Sequence, residues 1–131
     1  MRRAAQLFCL PAGLWAASVA ADTTAPTYYI EALFAVSTAE TLTEFCPRVG
    51  FDPRAANAQA EAVLDQLAAD GITGDALLSL TGIEAGVADL QSAFTARYGL
   101  ASPTEDAICA AAQAEMTAGS AIGRVLVEQG Q

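Results

Sequence analysis

Carboxylates are the reactive groups this sequence holds in quantity. Fifteen Asp and Glu face six basic residues, all of them arginine, with no histidine and no lysine. Glu40/Glu44 and Glu61/Asp65 stand four apart, so each pair shares a helix face. A glycoside hydrolase needs two carboxyls set across a cleft. Paired acids on the flank of one small helix read as solvated faces instead. Asp70-Gly71-Ile72-Thr73-Gly74-Asp75 superficially suggests a calcium loop, but the ligand positions an EF-hand needs fall on Ile72, Gly74 and Thr81. A Gly-rich turn between helices accounts for the stretch better. The missing side chains exclude more. Without histidine there is no Ser-His-Asp or Cys-His catalysis and no imidazole metal site. Without lysine there is no Schiff base, no Ser-Lys dyad and no P-loop. A formal charge of −9 is the reverse of a nucleic-acid footprint. The expectation is a non-enzymatic protein with no metal and no cofactor.

The cysteines depend on what happens to the N-terminus. Met1-Arg2-Arg3 is a short positive region, Leu7 to Val19 is apolar with breaks at Pro11 and Gly13, and Ser18-Val19-Ala20-Ala21 supplies small residues before Asp22. That order is a secretory signal peptide, with cleavage acceptable after Ala20 or after Ala21. The stretch is shorter than the roughly 20 apolar residues a membrane anchor needs. Lipidation at Cys9 is disfavoured by bulky Gln6-Leu7-Phe8 before it. We therefore divide the chain into a leader, 1–21, and one helical domain, 22–131, located in the periplasm with no stable membrane insertion. Loss of Arg2 and Arg3 takes the charge from −9 to −11 and removes Trp15 and Cys9. Cys46 and Cys109 remain. In an oxidising compartment an even pair reads as a disulfide, the alternative being two buried thiols. A redox-active pair is disfavoured without a C-x-x-C spacing.

The elements that must position these residues are helices. Gly and Pro punctuate stretches rich in Ala, Leu, Glu and Gln, and no stretch alternates with period two for long enough to suggest a sheet. A first helix is predicted over Thr27 to Phe45, between Pro26 and Pro47, with Ile30, Leu33, Phe34, Leu42 and Phe45 apolar. A second starts on an Asp52 cap with Pro53 at its first position and stops at Gly71. Its apolar side is Ala56, Ala60, Val63, Leu64 and Leu67. A third runs from Gly74-Asp75 to Tyr98 as one helix, with Gly82 and Gly86 allowing a tight crossing or marking a break. A fourth opens on a Ser102-Pro103-Thr104-Glu105 capping box and carries an apolar face on to about Gln129, with Gly119-Ser120 bending it or splitting it in two. The fold class expected is all-α, a small four-helix bundle stapled by one disulfide between Cys46 and Cys109.

The order of a signal peptide, a tyrosine-containing first helix, a cysteine near its end, a Tyr-Gly helix stop and a cysteine in the last helix is distinctive. With the stretch Glu115-x-x-x-Gly119-Ser120-Ala121-Ile122-Gly123-Arg124, it resembles a family of small exported alphaproteobacterial proteins known only as a domain of unknown function. The likeness spans about Tyr28 to Glu128. It implies export and a helical fold with paired cysteines, and it supplies no catalytic residue.

Interaction and packing residues follow from the same stretches. Tyr28, Tyr29 and Phe51 are candidate exposed aromatics at one end, since tyrosine offers apolar area with a polar tip. Gly119 and Gly123 are read as letting the last helix approach a neighbour, with Ser120 between them. Arg124 is read as bonding a nearby carboxylate in preference to forming an anion site. The leading function is an interaction or accessory module for an envelope or periplasmic protein, steered by negative charge towards basic partners. A small-ligand binder is the alternative, with an apolar pocket lined by Phe34, Phe94, Ile108 and Met116. An acid-stress chaperone loosening near pH 4 is a second alternative, made less attractive by the lack of lysine.

Overall fold

The computed structural model describes residues 23–130. The expected leader lies outside the described residues. Among the described residues the fold is mostly helical, with five helices, a small two-stranded sheet and one disulfide. In order these are α1 (Thr27–Phe45), β1 (Val49–Phe51), α2 (Pro53–Ala69), α3 (Asp75–Leu78), α4 (Ile83–Tyr98), α5 (Glu105–Ala118), a 3₁₀ turn (Gly123–Val125) and β2 (Leu126–Glu128).

Helix α1 is the hub, packed against α4, α2 and α5. Pro26 sits at its N-cap in extended conformation, and its carbonyl accepts from the Tyr29 and Ile30 amides. Phe34, Ala35, Thr38, Ala39 and Leu42 form its buried face. Leu33 and Phe45, expected on that face, are exposed. Helix α2 begins as its sequence dictates. Asp52 Oδ1 accepts from the Arg54 and Ala55 amides at 3.0 and 3.3 Å, and Gly71 follows the last turn at φ 77°. Its buried residues are Ala56 and Leu67, whereas Ala60 and Leu64 face solvent. The inward face is therefore narrower than the periodicity suggests.

The expected third helix is two. Gly82 takes φ 79°, which a continuous right-handed helix does not admit. The Thr81 amide donates to the Thr23 carbonyl and the Thr81 carbonyl accepts from Ala25, so the backbone there pairs with the segment before α1. Gly86 serves the other purpose considered for these glycines. A Cβ there would lie 2.8 Å from Ile30 Cδ1, so α1 and α4 cross closely because that atom is absent.

The last expected helix also ends early. Thr104, and not Ser102, caps α5: its hydroxyl accepts from the Ala107 amide at 3.2 Å. Gly119 closes α5 at φ 62°, and the chain turns back through the 3₁₀ turn into β2. β2 pairs antiparallel with β1, Gly50 opposite Val127. Three-residue strands are too short to show alternation in the sequence, and their pairing joins residues far apart in the chain, Val49 with Glu128 and Phe51 with Leu126. Ile122, Val125 and Leu126 still reach the core, by a turn and a strand in place of a helix. Cys46 and Cys109 form the disulfide, joining the end of α1 to α5 across 63 residues.

Candidate functional site

Two places gather polar or accessible side chains: a buried carboxylate at the end of α5, and an open groove beside α1.

Glu115 is the one acidic side chain buried among the described residues, 4% exposed. A buried carboxylate is tolerated when its oxygens are hydrogen-bonded, and each of these has partners. The Tyr98 hydroxyl of α4 donates to Oε1 at 2.6 Å, and Arg97 Nη1 stands 3.8 Å from the same oxygen. The Ser120 hydroxyl donates to Oε2 and accepts from the Gly123 amide at 3.0 Å. Ser120 also donates its amide to the Glu115 carbonyl. A Cβ at Gly123 would overlap the Glu115 carbonyl and the Met116 Cα, so the segment can fold back onto α5 only with glycine there. Burial, reinforced by the bond to Glu115, holds the Tyr98 hydroxyl above its usual pKa, with Arg97 opposing.

This cluster explains the Glu115-to-Arg124 stretch differently from its expected reading. Gly119 and Gly123 do not bring α5 against a neighbouring helix. Gly119 ends α5, and Gly123 seats the returning chain on the last turn of α5 itself. Glu115, Tyr98 and Arg97 were missed as site residues. The only sequence signal was an acid four positions before Gly119, inside a stretch otherwise free of charge until Arg124. Arg124 is exposed and does not bond a carboxylate: the ion pairs among the described residues are Arg48–Asp106 and Arg97–Glu115. It borders a shallow depression between α1 and α2, beside Tyr28, Glu31 and Gln59.

The expected exposed aromatics are distributed otherwise. Tyr28 and Tyr29 are half-buried in the first turn of α1. The Tyr28 hydroxyl donates to Asp70 Oδ2 at 2.6 Å, linking α1 to the end of α2. Partial shelter from water and this bond push its pKa up to about 12. Phe51, in β1, packs against the core. Among the described residues no group of His, Cys, Asp and Glu is placed to hold a metal ion.

The groove lies between α1 and α4 and is closed at one end by the loop before α5. Its volume is about 370 Å³, and it brings together Phe34, Phe94 and Ile108 of the pocket expected from sequence. Met116, the fourth, packs on the core but does not line it. Phe34 and Phe94 meet edge-to-face at 6.0 Å on its floor. Ser37 and Thr41 supply one wall. Their hydroxyls donate to the Phe34 and Ser37 carbonyls of their own helix, so a wall that reads as polar presents mainly carbon. Phe45 stands at the rim, 53% exposed.

Fold and site together define a small disulfide-stapled helical protein with an internal polar cluster around Glu115 and an accessible, mainly apolar groove between α1 and α4. The chain belongs to the family of unknown function DUF5333, whose family model matches residues 23–127. No curated protein and no solved structure matches it.

Proposed function

We propose that the protein is a non-enzymatic interaction module, exported to the periplasm, that serves as an accessory to an envelope protein. The observation that carries this reading is the groove itself: an uncharged, mainly apolar concavity, open to solvent, on a chain of formal charge −9. A concave, mostly apolar lining is the usual make-up of a binding site. Among the described residues, the serine–carboxylate contact that resembles a nucleophile and its base, Ser120 with Glu115, is engaged on every side by Tyr98, Arg97 and the Gly123 amide. It therefore reads as a tie between α4, α5 and the C-terminal segment. We read the four long helices α1, α2, α4 and α5 as a four-helix bundle built around α1. A disulfide joining α1 to α5 suits an oxidising compartment. Among the described residues no helix is long and apolar enough to cross a membrane.

The test is affinity capture of the tagged protein from its own envelope after mild crosslinking, with mass spectrometry of what accompanies it. Recovery of one partner at near-stoichiometric yield supports the reading, and recovery of none removes it. A small apolar ligand in the same groove is the second reading, favoured by the meeting there of Phe34, Phe94 and Ile108. A mass shift of the purified protein in native mass spectrometry, abolished by denaturation, would carry that one.

A further inference from the structure

We propose that the groove between α1 and α4 takes one face of a basic amphipathic helix from the protein partner. This deepens the reading as an interaction module and rests on it.

The occupant follows from shape and charge. Small-molecule sites typically enclose about 70–90% of their ligand. Here the rim residue Phe45 is 53% exposed, and the groove runs open along α1 for nearly three turns, from Phe34 to Phe45. That geometry suits a rod laid along it. An amphipathic helix presents apolar anchors at i, i+3 or i+4, and i+7 to such grooves, and the Phe34–Phe94 pair offers them an aromatic floor.

Charge selects the sign of the rod's other face. No charged side chain lines the groove. On α1, exposed Glu40 and Glu44 each stand three residues on from a lining residue, Ser37 and Thr41, and so continue that wall on the same side of the helix, and exposed Glu105 follows the lining residue Pro103 by two. None of the four arginines of the described residues lines it. Arg48 pairs with Asp106 and Arg97 with Glu115, Arg54 belongs to α2, and Arg124 borders the depression on the other side of α1. An acidic helix would bring like charges together at the rim, and so would a second copy of this chain. Lysine and arginine flanking apolar anchors complement it.

The experiment uses isotope-labelled protein, isolated as the cell processes it, titrated with three synthetic peptides. One is an amphipathic leucine–lysine helix, the second has the same composition scrambled to destroy its apolar face, and the third replaces lysine with glutamate. Expected are amide shifts concentrated at Ser37, Thr41, Phe45, Gln91 and Thr95 with the first peptide, and at least about tenfold weaker binding of the other two. Phe45→Ala, at an exposed position, should leave the circular dichroism spectrum unchanged and weaken the first peptide about tenfold. Glu40→Gln with Glu44→Gln should weaken it less and flatten its salt dependence. Three results overturn the proposal: no saturable binding, equal binding of the scrambled peptide, or shifts that map elsewhere, such as to Leu64 and Leu78. The outcomes separate from those of the capture experiment. A captured partner whose yield is unchanged by Phe45→Ala ends the groove proposal and leaves the module reading standing.

Discussion

Glu115 shows how much one side chain can organise. Truncation to alanine leaves the Tyr98 hydroxyl without its acceptor and the Ser120 hydroxyl with only the backbone carbonyl of residue 115, 3.3 Å away, and an unmet buried polar group costs about 1–3 kcal/mol. Glu115→Ala should therefore lower stability by at least that amount in urea melts, with an unchanged slope. Glu115→Gln keeps one acceptor oxygen but sets an NH₂ against a donor, so it should recover only part of the loss. The same bond governs behaviour at high pH. Tyr98 has its folded pKa raised, first by burial and then by Glu115, above the unfolded value of about 10. A raised pKa means that the folded state holds its proton more tightly. The contribution is thus fully present below about pH 10 and is lost as pH climbs through the folded pKa. Tyr28, pushed up to about 12, adds to the same alkaline window. Stability should fall on raising the pH beyond about 10, and Tyr98→Phe should reduce the slope of that fall. Absorbance titration of the Glu115→Ala variant should show the Tyr98 transition moved down towards its usual value.

At the scale of elements, glycines decide where helices stop and how closely they cross. The α1–α4 crossing depends on Gly86, where a Cβ would press on Ile30 from 2.8 Å. Gly86→Ala should destabilise by about 1–3 kcal/mol, the usual cost of overpacking. Ile30→Val in the same chain should return part of that loss, and a double-mutant cycle on melting free energies reads the coupling. Additive losses would place the strain elsewhere. Helix starts and stops at α1 and α2 are legible in the sequence because Pro26, Asp52, Pro53 and Gly71 act locally, through their own backbone and the next turn. The start of α5 was legible only to within two residues. Ser102 and Thr104 both offer a hydroxyl, and the second is the one that accepts from the Ala107 amide. The break before Gly82 was less legible, since the glycine permits it but the pairing of Thr81 with Thr23 and Ala25 imposes it.

For the whole molecule, the disulfide carries the largest single prediction. Closing a loop of this length restricts the unfolded chain by about 4 kcal/mol in the loop-entropy account, against a typical net stability of about 5–15 kcal/mol. Cys46→Ser with Cys109→Ser should lower the melting temperature by on the order of ten degrees or more. A melting curve that does not move would show the staple to be dispensable. The composition, the capping residues and the cysteines at 46 and 109 are properties of short stretches of chain, and they pointed to a mostly helical protein with Cys46 paired to Cys109. That Leu126 to Glu128 forms a strand was not available from those stretches. The Val49–Phe51 edge it needs lies beyond any window in which periodicity can be read. The same holds for the meeting of Tyr98, Glu115 and Ser120, and for the groove over Phe34 and Phe94. Local sequence determines which backbone states a segment prefers. Which side chains share a buried volume is decided by non-local packing, once the helices have docked and each buried polar atom has found its partner.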